Sequence, residues 1–463
     1  MHNKTLTLAV LATLLAGCAQ TTPPQDTALP LPAAWQATSA AKPGAAVLND
    51  SWWQLFGAAE LNRLVDQALA GSPDLAQAAA RLQQAQASAD SSAASLFPAI
   101  SLSGSSSQRE TETARGASST SKSSSLSAGI SYEVDLWGKV AASQRAAAAN
   151  LQGSQYDLAT ARQTLLAAVV NAYFQLQAVR DRLALAQANL RDSRQLLDIS
   201  EAKLRHGAAT ELDVSQVRSS WLAQQASVLS LQNQQQPLLN TLAMLAGQLP
   251  QGFSVASEPL LALAVPDVPA GLPSEVLRRR PDIAKAESEL EAAAANLDAA
   301  RAALYPSLQL SGSAGLASTA LLSLSGATQS LSLGASLAQS LFDGGKLRAQ
   351  VASSQAARQL LLHSYRKATL TALGEVEDAL NTVALARQQE RLQQQTSREA
   401  ERTLQLTRIR QREGLVDMAT LLAAQKSHAS SRDSLLQQRL ARQQATVTLI
   451  KALGGGWPGR ASL

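Results

Sequence analysis

The chain repeats itself. Residues 73–105 and 281–313, offset by 208 positions, share 15 identities in 33. Among them are Pro73 and Pro281, Asp90 and Asp298, Pro98 and Pro306, and the Leu-Ser-Gly-Ser runs at 102–105 and 310–313. Farther on, Gly138-Lys139 answers Gly345-Lys346 and Gly207 answers Gly414, both at an offset of 207. Alanine-rich helices mimic one another by composition, but shared proline and glycine punctuation marks one supersecondary unit present twice. Whatever the first copy folds into, the second must fold into as well.

Each copy has the same internal order. A helix comes first (about 73–96 and 281–304), with Pro73 and Pro281 near N1, where proline is tolerated. Two strand-like segments follow, then a very long helix (about 139–206 and 346–412) ended by a glycine. A shorter helix closes the copy (about 211–246 and 418–453). Sixty-eight helical residues would run roughly 100 Å at 1.5 Å each. The composition supports helices with narrow seams. The chain is 46% hydrophobic, yet only 3% aromatic, and its bulk is Ala, Leu, Gln and Ser. Leu176, Leu183, Leu190, Leu197 and Leu204 recur every seven residues with Val179 and Ala186 between them, a coiled-coil seam.

The strand-like segments alternate. Leu126, Ala128, Ile130, Tyr132, Val134 and Leu136 fall on one face, and Ser127, Gly129, Ser131, Glu133 and Asp135 on the other. Ile100 and Leu102 oppose Ser101, Ser103, Ser105 and Ser107 in the partner segment 98–107. In the second copy Leu308 and Leu310 alternate with Gln309 and Ser311. Leu331, Leu333, Ala335, Leu337 and Leu341 alternate with Ser332, Gly334, Ser336 and Ser340. Segments of about ten residues, aliphatic on one face and serine-rich on the other, suit a tilted strand between lipid and a wet lumen. Phe97, Tyr132, Trp137, Tyr305 and Phe342 sit near the strand–helix junctions, where an interfacial aromatic girdle would lie. Four strands cannot close a barrel, and open edges are not tolerated in lipid. Three chains would supply twelve strands, so the expectation is a homotrimer.

Several function classes are excluded. A net charge of +5, interspersed along the chain, does not make a nucleic-acid surface, so no nucleic-acid partner is expected. The four histidines have no metal-ligand or triad spacing, and there is no phosphate-binding loop. No metal, cofactor or catalytic residue is expected, and the protein is read as not an enzyme. The single cysteine leaves no intrachain disulfide.

That cysteine closes an export signal. Lys4 precedes an apolar run from Leu6 to Ala16, too short to span as a helix. Leu15-Ala16-Gly17-Cys18 resembles the lipobox of bacterial lipoproteins. The resemblance implies a signal peptide at 1–17, cleavage before Cys18, and covalent lipid on Cys18 as the one attached group. Ala19 stands where an inner-membrane retention signal would have Asp, which points to the outer membrane.

Taken end to end, the chain resembles the TolC-like outer-membrane efflux proteins, in particular the lipidated channels of RND-type tripartite pumps. The matching runs are Trp52-Trp53-Gln54-Leu55-Phe56, Tyr132-Glu133-Val134-Asp135-Leu136-Trp137-Gly138-Lys139 and Arg278-Arg279-Arg280-Pro281-Asp282-Ile283. Leu341-Phe342-Asp343-Gly344-Gly345-Lys346-Leu347-Arg348 and Gly414-Leu415 through Leu421-Leu422-Ala423-Ala424-Gln425 complete the set. The resemblance implies a mainly α fold with a membrane β-barrel, in which a trimer forms a twelve-stranded barrel and a long periplasmic α-helical barrel. The partition expected is a lipidated N-terminal and equatorial segment (18–72), a first repeat (73–246), an equatorial connector (247–280), a second repeat (281–453) and a tail (454–463). The implied partners are a periplasmic adaptor, an inner-membrane RND-type pump and outer-membrane lipid.

Two helix turns carry the implied sites. Gly207 and Gly414 fit left-handed C′ positions, and Thr210 and Asp417 fit N-caps of the returning helices. By resemblance, Gly207, Ala208, Thr210, Gly414, Leu415 and Val416 form adaptor-docking tips. Asp417, with Arg410 and Arg412 as candidate cross-linking donors, belongs to the narrowed periplasmic aperture. The alternative reading is a coiled-coil spacer lipoprotein without a channel, which has no use for alternating strands. Two features depart from the pattern: the C-terminal tail is short, and the second hairpin loop, Ala317–Gln329, is more apolar than an extracellular loop should be.

Overall fold

The computed structural model describes residues 32–36, 49–112, 114 and 116–457. The signal segment and Cys18 lie outside the described residues. A 3-10 turn at Trp52–Phe56 leads into α1 (Ala59–Gly71) and α2 (Pro73–Ala94). The first hairpin is β1 (Ala99–Glu112) and β2 (Ser118–Val134), followed by α3 (Lys139–Arg205) and α4 (Glu211–Leu245). The second copy runs α5 (Pro273–Arg279), α6 (Pro281–Ala302), β3 (Ser307–Ser318), β4 (Thr328–Ala338), α7 (Lys346–Arg412) and α8 (Met418–Ala452). Helices α3 and α7 are both 67 residues long, and α4 and α8 are both 35. The duplication is therefore carried through to equal lengths in these helices.

It also reaches beyond the matched sequence runs. Gly247, just past α4, comes so close to the backbone of Gly71 at the end of α1 that a Cβ would collide with it. Gly454, just past α8, approaches the backbone of Arg279 at the end of α5 in the same way. Both glycines have positive φ, 66° and 99°, so each needs the missing side chain twice over, for space and for conformation.

The structure groups into two compact units that cut across the repeats. One contains the described residues of 81–155 and 285–367, and the other 156–284 and 368–457 together with the described residues before Arg81. The first unit holds the sheet, a four-stranded antiparallel meander in the order β1-β2-β3-β4. Within it Arg145 of α3 pairs with Asp298 of α6 at 3.2 Å.

The second unit holds the aromatic core. Trp52, Trp53 and Phe56 are buried with Tyr173 and Phe174 of α3, and the Phe56 and Phe174 rings meet edge-on at 4.9 Å. Leu61, Leu64 and Val65 of α1, and Val255, Leu260 and Leu263 of the connector, pack into the same cluster. The Tyr173 hydroxyl donates to Glu258 at 2.6 Å, and burial, with that bond, pushes the phenol's pKa up. Farther along, Ala186 of α3 packs with Val228 and Leu231 of α4, flanked by Leu183 and Leu190. The seam predicted from the leucine heptads thus holds from Leu176 through Leu197. Leu204 departs from it and is exposed, because α3 ends one residue later and no neighbouring turn remains to cover it.

Strand bounds also need correction. β1 and β2 run 14 and 17 residues, longer than the ten expected, since both continue through the serine-rich stretch toward the turn. Leu136 lies past β2, and Ser340 and Leu341 lie past β4.

Candidate channel wall and helix tips

The register decides which residues share a face of the sheet. Ile100 pairs with Ile130, Leu102 with Ala128 and Gly104 with Leu126. Ile130 then pairs with Gly312, Tyr132 with Leu310 and Leu126 with Leu316. Gly312, Ala314 and Leu308 pair in turn with Leu333, Leu331 and Leu337. Residues directly opposite each other point to the same side, so the aliphatic positions of all four strands form one continuous face. Its counterpart is hydroxyl-rich. Ser103 and Ser127, Ser105 and Ser125, Ser107 and Ser123, and Ser313 and Ser332 meet side chain to side chain at 2.8–2.9 Å.

Among the described residues, only the 319–327 loop lies over part of the sheet, at one end of its aliphatic side. Every residue of β1 and β4 is exposed. Leu102, Leu331, Leu333 and Leu337 are each 68–84% accessible on the aliphatic side. A soluble one-sided sheet would bury that side against a helix layer. From Val134 to Leu126 the aliphatic face of β2 covers eight steps, roughly 26 Å of strand at about 3.3 Å per residue.

Each hairpin passes into its long helix through an aspartate. Asp135 accepts from the backbone N–H groups of Val140 and Ala141 at 3.1 and 2.8 Å. Asp343 accepts from Gly345 and Leu347, both at 2.9 Å. These carboxylates satisfy donors that a helix N-terminus leaves unpaired, which is why Asp precedes Gly-Lys in both copies. Of the junction aromatics, Phe97, Tyr305 and Phe342 are exposed, while Tyr132 and Trp137 are half-buried. Trp137 stacks on Tyr305 at 4.9 Å and its indole N–H donates to the Pro306 carbonyl at 2.7 Å, joining the two copies.

At the other end of the long helices the two turns are built alike. Ala208 N–H bonds Lys203 O at 2.8 Å and Gly207 N–H bonds Leu204 O at 3.0 Å. Leu415 N–H bonds Arg410 O at 2.9 Å and Gly414 N–H bonds Gln411 O at 3.1 Å. This nested pair of bonds is the Schellman closure, and Gly207 and Gly414 sit at its left-handed position with φ 68° and 73°. Thr210 and Asp213 then form a capping box, with Asp213 N–H donating to Thr210 Oγ1 at 3.2 Å and Thr210 N–H to Asp213 Oδ2 at 2.9 Å. Asp417 caps α8 by accepting from Thr420 N–H at 2.8 Å.

The tips are exposed and charged. Hydrogen bonding from Thr420 holds the Asp417 carboxyl below the usual carboxylate range. Hydrogen bonding from Thr210 does the same for Asp213, against the opposing charge of Asp417 nearby. The two tip carboxylates thus feel each other within one chain. Leu212 and Leu415 are 67% and 68% accessible, leaving apolar surface on both tips. Ala208 is exposed and Val416 half-buried. Arg410 and Arg412 make no ion pair within the chain among the described residues. Cross-helix pairs lie behind them: Arg408 with Asp192 at 3.3 Å, Arg218 with Glu201 at 2.8 Å, and, much farther from the tips, Arg182 bidentate to Asp433 at 2.6 and 3.2 Å.

The sequence profile of the family described as "Outer membrane efflux protein" matches twice, at residues 64–248 and 272–455, one match for each repeat. The chain belongs to that family. The pyoverdine export outer membrane protein OpmQ of Pseudomonas aeruginosa is 39% identical, aligned over 99% of this chain and 98% of its own length. The solved structure of the outer-membrane channel OprN superposes with a TM-score of 0.86 at 30% identity, covering 95% of this chain and 100% of that one. The open state of the Neisseria gonorrhoeae MtrE outer membrane channel gives 0.84 at 26% identity, with 95% and 99% covered. As a member, this protein is an outer-membrane efflux channel.

Sequence reasoning missed several residues that hold the helices in place. Glu390 of α7 is buried and held by Arg439 and Arg442 of α8 at 2.9 and 2.7 Å. Trp35 is buried with its indole N–H on the Gly271 carbonyl at 3.0 Å. Arg280 holds Asp282 and Glu375, each at 2.7 Å, and the Ala452 carbonyl at 3.2 Å, which gives the Arg-Pro-Asp run its structural reason. Only the spacing of Arg439 and Arg442, three apart on one helix face, hinted at a shared acidic partner.

Proposed function

We propose that this channel is the passive exit duct of a tripartite efflux pump, assembled as a homotrimer. One observation carries the reading: a four-stranded sheet with an aliphatic and a hydroxyl face, both largely uncovered, and with unpaired outer edges on β1 and β4. Lipid tolerates no open strand edge, and edge-to-edge joining of three copies gives twelve strands, an even number of the kind barrels use. Cys18 carries the covalent lipid that tethers the mature chain to the outer membrane.

The helix tips dock a periplasmic adaptor, which links the duct to an inner-membrane pump of the RND class. Their exposed leucines and paired Schellman turns support that role. Three copies of Asp417 ring the closed aperture, focusing a negative potential that draws cations and repels anions. Mutual repulsion does not hold such a mouth shut, so Arg410 and Arg412 bond carboxylates of neighbouring tips in the closed state. Adaptor engagement replaces those contacts and shifts the equilibrium toward an open state.

The cargo class is small organic molecules. OpmQ is named for pyoverdine export, and a serine-lined wall with only three methionines in the chain offers no soft-ligand path for copper or silver. Purified protein in a planar bilayer should give discrete ion-conducting steps. A protein that binds membranes through its lipid but conducts nothing would be a spacer, and the proposal would fall.

A further inference from the structure

The second hairpin loop, residues 319–327, does not extend straight on from its strands. It folds back over the outer face of the first hairpin. Ser106 and Ser124 pair across β1 and β2, on the same face as Leu102, Leu126 and Ile130 and one row past Gly104 and Leu126. Their hydroxyls form a relay that holds the loop. Leu322 N–H donates to Ser106 Oγ at 3.0 Å, the two hydroxyl oxygens lie 2.8 Å apart, and Ser124 Oγ donates to Ala320 O at 2.7 Å. Ser318 Oγ fastens the far side to Ser325 O at 3.1 Å. The loop buries Ser124 and Ser318 and turns its leucines outward, with Leu322 84% accessible and Leu321 and Leu324 at 40% and 37%.

Leu322 has φ +55°, the one positive-φ residue other than glycine among the described residues. Glycine or asparagine would adopt that conformation with less strain, so leucine stands there against its backbone preference. The segment Ala317–Gln329 also contains no charged residue, whereas the first hairpin continues past the same row through Gln108, Arg109, Glu110 and Glu112. One hairpin tip is built for water and the other is not.

We infer that Leu321, Leu322 and Leu324 form a membrane-boundary anchor, a patch that enters the acyl-chain border of the outer leaflet directly above the barrel's aliphatic rows. The occupant is lipid rather than a neighbouring copy because the loop is tied to the aliphatic face, while copies join in the plane of the sheet at the β1 and β4 edges. The inference rests on the barrel reading proposed above.

Site-directed spin labelling tests it. Leu322→Cys, and separately Leu324→Cys, would be labelled in full-length protein with Cys18 replaced by alanine, reconstituted in phosphatidylglycerol–phosphatidylethanolamine vesicles. Collision rates with oxygen, which concentrates in lipid, and with a water-soluble nickel chelate would be compared at three places. Leu333→Cys reports the aliphatic face and Ser119→Cys the first hairpin tip. The inference predicts oxygen-favoured ratios at 322 and 324 in the range of the Leu333 label and well above that of Ser119. Nickel-favoured ratios matching Ser119 would overturn it, as would labels shielded from both reagents, which would place the loop against another copy. A nickel-accessible Leu333 label would instead overturn the barrel reading itself.

Discussion

The aromatic cluster around Phe56 and the four-stranded sheet are opposite solutions to the same problem. The cluster hides its apolar surface within one chain: Phe56, Leu61, Tyr173, Phe174 and Leu260 are all fully buried by neighbours the chain itself supplies. The sheet hides almost nothing, and on the proposed reading its leucines are covered by lipid. The difference shows where stability comes from in each place. Packing inside the chain sets the first, and the bilayer together with assembly sets the second.

Truncating the cluster should give the largest effect. Phe56→Ala removes a ring with no accessible surface and should cost about 3–5 kcal/mol. The loss should appear in detergent and in bilayers alike, read as a lowered thermal midpoint in both. The sheet should behave differently. Leu333→Arg on the aliphatic face should cost about 2–4 kcal/mol in lipid, with Ser336→Arg on the hydroxyl face milder. Equal damage from the two substitutions in vesicle-refolding titrations would remove the distinction between wall and lumen.

The tips sharpen the comparison from the side of function. Asp417→Ala should reduce cation selectivity and raise basal conductance in single-channel recordings, whereas Glu413→Ala should do less. Unchanged traces would leave Asp417 as a helix cap only. The smallest expected effect is a pH dependence. Burial, aided by Arg432, holds the His428 imidazole below its ordinary range, and its Nε2 has no hydrogen-bond partner. Below the ordinary histidine pKa of about 6.5 the unfolded chain therefore binds its proton before the folded one does. The helices around His428 should lose stability as pH falls from there toward the lower folded value, and stay level above it. His428→Gln should flatten that acid slope in hydrogen-exchange measurements on α8.

Much of this was legible beforehand because it is periodic or punctuated. Gly207, Gly414, Thr210 and Asp417 mark helix ends by backbone chemistry, and the six helices expected from the sequence end within two residues of their expected positions, whereas α1 and α5 were not expected. Alternation revealed the two unlike faces of the sheet, since a strand with two different environments must alternate. The far halves of β1 and β2 were not legible, because serine on both faces carries no alternation. Contacts between distant segments were equally hidden. Nothing near Phe56 in the chain points to Phe174, and nothing near Glu390 points to both Arg439 and Arg442. The folded-back loop showed itself only as excess leucine, without the serine pair that holds it.

The central claim is that the wall is completed by other copies of the chain. Native mass spectrometry of the conducting protein, released from detergent micelles, tests it most directly. The account predicts a single assembly of three chains, with the β1 and β4 edge amides protected from hydrogen exchange. A monomer or dimer that conducts, or a trimer whose edge amides exchange freely, would contradict it.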